Sequence, residues 1–512
     1  MSNAMPTRLA SLACLAVVAW LGWRSINYVS ARRSLTDSGT FACIGMAINK
    51  GKVPYRDIWE QKPPLAFRLN AEALSRGDGT FDAIRSQERE FAVLRAIIFF
   101  AIIMFAFRSP WVALASTLIM LHVFYAHPIF QQGNLTEEYA TGYALCGILC
   151  VVLAASRSLV PFPFVVIAGF CFSIAALCKE PFVLSCLPWL AYVALYGKRD
   201  RKSVAHRVWP FCLGAAIPLL VNWAFYLYNG AFLARLDAIS FSFGYVGDAP
   251  ASVSLLKRAT GGIDAVRQTI GSQSIVANVA FFVGFVSIFS AEFVKKHKYL
   301  PVVSIFAVLF DFLGTEVSPY HRGHYYMQLV PSFSLVVACG FAFLAHIARK
   351  ASLHAAAVPC LTLLALCFLD RNAVADAVSR LSAPFERSEV GEIGRYVRAN
   401  SVPTDTIWVP NGHDSRQYVE CGLIPPTRFT HLTPRILKDT LLSTGDEKAK
   451  EIRDALVKNP PKFIVVSDCD WPNIERYEIE PWFRANYSKT RIPKLWERHG
   501  KHGKHGKDAT NP

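Results

Sequence analysis

The chain has 512 residues, of which 53% are hydrophobic, with a positive mean hydropathy of +0.28 and a formal charge of +16. One soluble core needs far less apolar sequence than this, and the excess comes in long blocks, which excludes an ordinary soluble globular protein. Much of the positive charge flanks those blocks or sits in a basic tail, so the charge balance calls for no nucleic acid.

A hydrocarbon core about 30 Å thick takes roughly 20 apolar residues per helix, and about eleven blocks qualify as spans. They are 8–27, 91–107, 111–130, 139–156, 160–178, 181–197, 208–228, 274–291, 299–314, 325–346 and 353–369. The first is not a cleavable signal, because Trp20, Trp23 and Arg24 follow it without a small-residue cleavage site. The expected fold is a polytopic α-helical membrane protein over residues 1–370, with an α/β domain over 371–498 and a disordered basic tail over 499–512.

Lys and Arg collect in alternate gaps: Arg108, Arg157, the run 198–202 with Arg207, the run 295–298, and Arg349 with Lys350. The positive-inside rule turns these gaps to the cytoplasm. The gaps 28–90, 131–138, 229–273 and 315–324, and everything after 370, then face outward. This puts the N-terminus in the cytoplasm and the C-terminal domain outside.

The first outward loop, 28–90, carries the densest polar pattern. Asp37 precedes a run with Phe41, Ile44 and Ile48 on one face and Gly51 at its end, which predicts a short helix lying on the membrane surface with Asp37 as its N-cap. Trp59-Glu60-Gln61-Lys62-Pro63-Pro64 follows, and the two prolines stiffen the segment that bears Lys62. Each charged group has a plain structural reading too: a helix cap for Asp37, snorkelling for Lys62 and a surface partner for Glu60.

Glu137 and Glu138 open the fourth span, where acids also favour the helix dipole. Lys179 and Glu180 interrupt two apolar blocks, and in a transporter such charges mark a substrate or proton path. No internal repeat accompanies them, and the polar groups gather in outward loops, which favours an enzyme over a transporter. A noncatalytic scaffold bearing the outer domain would need neither Asp37 nor Lys62.

Ten of the thirteen cysteines fall in the apolar spans, where a thiol packs as a small hydrophobe. Cys421 and Cys469 lie in outward segments and form a candidate disulfide. After about residue 384 the pattern alternates: helix 388–399, strand 406–409, helices 413–421 and 446–458, strand 463–466, a further helix, and a strand near 491–496.

The acid after the first span (Asp37), the E-x-K-P-P element (Glu60, Lys62, Pro63, Pro64), the loop 133–139 and the loop 320–325 together resemble a known pattern. It is that of the C-type superfamily of polyprenyl-phosphate-sugar-dependent glycosyltransferases, in the branch with protein O-mannosyltransferases and the lipid A aminoarabinose transferase. One position departs from it. Members commonly carry a second acid beside the first, and here Ser38 stands there.

The resemblance implies an inverting transfer of a sugar from a polyprenyl-phosphate donor to a hydroxyl on a lipid, glycan or protein acceptor. It implies Asp37 as catalytic base and Lys62, Arg322 and Lys179 as donor-phosphate ligands. It also implies Glu60, Glu137, Glu138, Tyr320, His324 and Tyr325 as donor- or acceptor-binding groups, with no metal or other cofactor required and membrane lipids as the remaining partners. The chemistry suits these residues, since fixed cations stabilise a departing phosphate and a carboxylate accepts the proton of the attacking hydroxyl.

Overall fold

The computed structural model describes residues 4–29, 36–156, 162–195, 201–247, 255–318, 320–350, 368–430, 438–440, 442–476 and 478–499. The chain divides into two compact units, the larger made of 1–30, 85–225 and 246–386, the smaller of 31–84, 226–245 and 387–512.

The larger unit is a bundle of apolar helices. Phe81–Phe107, Thr136–Ala155, Val204–Tyr228 and Val330–Lys350 are long and apolar enough to cross a membrane by length and composition, and five shorter apolar helices accompany them. Thr136–Ser156 packs on Phe162–Cys178, Ile275–Val286 on Val330–Lys350, and Phe182–Leu195 on Leu300–Thr315. Between Ile275–Val286 and Val330–Lys350 the backbones nearly touch: a Cβ on Gly284 would lie 2.0 Å from Val336 O, and one on Gly340 would lie 2.0 Å from Ala280 O. Small residues four apart allow that approach.

Several expected spans are interrupted. The block 111–130 is a helix, Pro110–Phe124, followed by the single turn His127–Phe130. The block 325–346 begins as the tight turn Gly323–Gln328 before the helix Val330–Lys350. The expected span 353–369 lies outside the described residues except for 368 and 369.

The smaller unit differs from the sequence expectation in its boundaries. Residues 31–84 were grouped with the membrane helices, yet they form one body with 226–245 and 387–512. A shared apolar core explains this, since Trp59, Phe241, Trp408, Phe429, Ile464 and Phe483 are all buried in one cluster. Its sheet has the order β1-β2-β4-β3, with β1 (Ile407–Trp408) parallel to β2 (Phe463–Val465) and β4 (Leu495–Arg498) antiparallel to both β2 and β3 (Tyr487–Lys489).

The helix expected on the membrane surface spans Thr36–Asn49, with Asp37 in its first turn rather than at its cap. It is not a surface helix. Phe41, Ala42, Cys43, Ile44 and Ala47 are at most 1% exposed, and the helix packs against Leu65–Arg76 and Arg416–Cys421. The amphipathic pattern was read for one face, whereas small residues at Ala42, Cys43 and Ala47 let neighbours cover the others. The candidate Cys421–Cys469 disulfide is absent: both thiols are free, Cys421 buried and Cys469 exposed.

Candidate functional site

In the smaller unit three sequence-predicted groups meet. Asp37 and Glu60 are half-buried, as is Lys62. Burial foremost, and then the charge of Asp37, push the Glu60 carboxyl up to about 7, while Lys62 and the amides of Gln61 and Lys62 pull the other way. The Gln61 N–H donates to Glu60 Oε1 at 2.9 Å. A carboxyl poised near neutrality is suited to exchange a proton at physiological pH.

The segment carrying Glu60 and Lys62 is held from several sides. The Tyr55 hydroxyl donates to Lys62 O at 2.8 Å, and Ser242 Oγ donates to Gln61 O at 3.1 Å. The Trp59 N–H donates to Arg428 O at 2.7 Å, and the Trp59 ring packs against Phe241 and Phe429. Tyr55 itself sits fully buried at a φ of 70°, a left-handed conformation that costs energy for a bulky residue and marks a constrained turn. Its ring contacts Phe67, Tyr226 and the Arg235 guanidinium. Lys62 therefore rides on a braced segment.

In the larger unit the loop 131–139 is built around buried charge. Glu88 pairs with Arg85 at 2.7 Å and accepts the Asn134 N–H. Glu138 pairs with Arg95 at 2.9 Å and accepts the same N–H at 3.1 Å, and neither side chain of that pair is exposed. Tyr139 closes the loop by donating to Asn134 Oδ1 at 2.9 Å. Gly133 has a φ of 72°, and a Cβ there would lie 2.2 Å from Glu88 Oε1. Glu138 thus holds the loop, its carboxyl engaged by Arg95 and by the Asn134 amide.

Glu137, one residue earlier, points elsewhere. It pairs with Lys179 at 2.8 Å and accepts from Thr136 Oγ1 at 2.8 Å. The Lys179 ammonium also stands 4.8 Å from the centre of the Tyr325 ring. Glu137, Lys179, Gly314, Ser318, Tyr325 and Gln328 line one small cavity. Three of the expected ligand-binding groups are therefore neighbours.

The remaining expected groups lie beside that cavity in sequence. His324 packs edge-on against Tyr325 with ring centres 4.7 Å apart, and its Nδ1 lies 3.2 Å from Gln131 Oε1. Tyr320 is half-buried and Arg322 is exposed.

Two acids were not singled out in the sequence. Glu316 lies 3.3 Å from His321 Nδ1, and burial raises its carboxyl above the ordinary range while His321 opposes the shift. Asp311 is 5% exposed within the apolar helix Leu300–Thr315, faced by Ser185, Ser332 and Gln328. A lone acid in an otherwise apolar run was a usable signal for Asp311. For Glu316 the signal was weaker, an acid four residues before the aromatic and basic run 320–325.

No protein-family model matches the sequence, and no curated protein does. Solved structures do match. The crystal structure of ArnT from Cupriavidus metallidurans bound to undecaprenyl phosphate aligns with a TM-score of 0.57 at 13% identity, over 93% of this chain and 95% of that one. The same protein in the apo state gives 0.57 at 12% identity with the same coverage. At such identity the likeness is one of fold, and the chain has the polytopic C-type glycosyltransferase fold seen in ArnT.

Proposed function

We propose that this protein is an integral-membrane glycosyltransferase that moves a sugar from a polyprenyl-phosphate donor to an acceptor hydroxyl on the extracytoplasmic side, with inversion at the anomeric carbon. The observation that carries the reading is the cluster of Asp37, Glu60 and Lys62, in which burial and the charge of Asp37 raise the Glu60 carboxyl to about 7 while Lys62 opposes them. A fold shared almost end to end with a protein bound to undecaprenyl phosphate supports the donor class.

The chemistry follows from charge. As the acceptor oxygen attacks the anomeric carbon, the bond to the donor phosphate breaks and the phosphate gains negative charge. Lys62 is the fixed cation assigned to that phosphate, with Arg322 and Lys179 as further ligands, so a divalent metal is not needed. The acceptor proton goes to a carboxylate. Asp37 is assigned as that base. Glu60 supplies the paired carboxyl that the family pattern has beside Asp37 and that Ser38 lacks. A single displacement inverts the centre, whereas retention would need a covalent sugar-enzyme intermediate.

Protein reconstituted in lipid nanodiscs and supplied with polyprenyl-phosphate sugars tests this. Transfer is expected in chelator, and Asp37→Asn or Lys62→Ala should abolish it at unchanged folded yield. Full activity in both variants would refute the assignment.

A further inference from the structure

Three basic runs that are far apart in sequence meet in the larger unit. Arg108 follows the helix Phe81–Phe107, Lys296 and Lys298 lie just before Leu300–Thr315, and Arg349 is in the last turn of Val330–Lys350. All four line one cavity of about 430 Å³, and no carboxylate is among its described lining residues. Burial, then the charges of Lys296 and Arg349, push His297 down to about 4, so its imidazole enters the cavity neutral and the charge is that of the four fixed cations. Lys350, next to Arg349 in sequence, is paired with Glu292, a carboxylate that the charge of Lys296 also reaches.

The other wall is apolar, with Phe107, Val152 and Leu300 buried in it and Phe105 half exposed at its edge. The turn between the two flanking helices is strained, because Lys298 and Tyr299 take successive left-handed conformations with φ of 51° and 63°. Two such residues in a row cost energy that ordinary loops avoid. The strained turn is tied down by the Tyr192 hydroxyl, which donates to Lys298 O at 2.7 Å, and by Lys298 Nζ, which donates to Ala155 O at 2.5 Å.

We propose that this cavity is a binding site for an anionic glycerophospholipid of the membrane, its phosphodiester headgroup held among Arg108, Lys296, Lys298 and Arg349 and its acyl chains lying along the Phe105 side. Four cations gathered at one cavity repel one another, and an anion that enters relieves that repulsion. The apolar wall selects an anion with hydrocarbon attached over a free one. Basic pockets between membrane helices recognise lipid headgroups in this way. The three runs are among those that the positive-inside rule assigns to the cytoplasmic leaflet, so the lipid belongs to that leaflet. The proposal does not depend on the transfer reaction.

Native mass spectrometry of the full-length protein in detergent, titrated with dioleoyl phosphatidylglycerol, tetraoleoyl cardiolipin or dioleoyl phosphatidylcholine, tests it. Retention of both anionic lipids should exceed that of phosphatidylcholine by tenfold or more, and should fall as salt rises. Each cation near a lipid surface is worth about a fivefold change in affinity. The exposed pair Arg108→Gln/Arg349→Gln should therefore weaken cardiolipin binding by roughly twenty-fivefold with an unchanged elution profile. Phe105→Ser should also weaken it, by severalfold. Wild-type lipid retention in the double variant would overturn the proposal. Displacement of cardiolipin by millimolar inorganic phosphate would overturn it too, since it would mark a site for free anions.

Discussion

Glu60 offers the most direct test of the smaller unit. Its carboxyl is pushed from 4.5 to about 7 by burial and by Asp37, so ionising it in the folded protein is opposed. The sign follows from linkage: a carboxyl raised in the folded state contributes stability that is fully present below about 4.5 and is lost as pH rises through 7. A shift of that size corresponds to about 3 kcal/mol at the upper end, and partial exposure of the side chain reduces it to about 1 to 3 kcal/mol. Glu60→Gln stays neutral throughout. Wild-type protein in detergent should lose melting temperature between pH 4.5 and 7, whereas Glu60→Gln should lose much less over the same range. Asp37→Asn should move the wild-type transition to lower pH, because the charge that raises Glu60 is gone, and Lys62→Gln should move it higher. Parallel melting curves for wild type and Glu60→Gln across this range would refute the reasoning, as would a transition indifferent to both neighbours.

Other consequences are simpler to read. Gly133→Ala forces a side chain into a left-handed position and against Glu88, and should cost at least about 1 to 2 kcal/mol from the backbone alone, seen as a lower melting temperature. Arg95→Ala leaves the Glu138 carboxylate unpaired in the interior and should cost about 3 to 5 kcal/mol or abolish folded yield, a loss that an Arg95→Ala/Glu138→Gln double variant partly recovers. In the native protein a water-soluble maleimide should label Cys469 and leave Cys421 unmodified until denaturation, and peptide mapping under non-reducing conditions should find no bridge between them.

The membrane helices were legible because apolar length is a one-dimensional property. A block such as 139–156 carries its own signal, and the helix Thr136–Ser156 begins three residues before it, where Glu137 and Glu138 fill the first turn. The strands Ile407–Trp408 and Phe463–Val465 were legible as short β-branched and aromatic runs, while Tyr487–Lys489 was not, since its polar residues are strand only by pairing with β4. The unit boundaries were hidden for a related reason. Nothing local in Trp59 or Phe241 says that both join a core built mainly from residues after 400, and only tertiary packing reveals it.

The same limit explains the acids. Sequence reading treated Glu137 and Glu138 as equivalents because they are adjacent on one helix, but successive helical positions point about 100° apart. One residue therefore meets Arg95 in the interior and the other meets Lys179 at a cavity, and their substitutions should have different outcomes: loss of fold for one, loss of a local ion pair for the other. Ser38 poses the converse case. Adjacent carboxylates in a family pattern read as a pair because they are neighbours in sequence, yet what a proton-transfer site needs is two acids whose fields overlap. On the proposed transfer reading, Glu60, twenty-three residues after Asp37, meets that need, since the Asp37 charge raises its carboxyl. On that reading the departure at position 38 removes an acid without removing the coupling between acids.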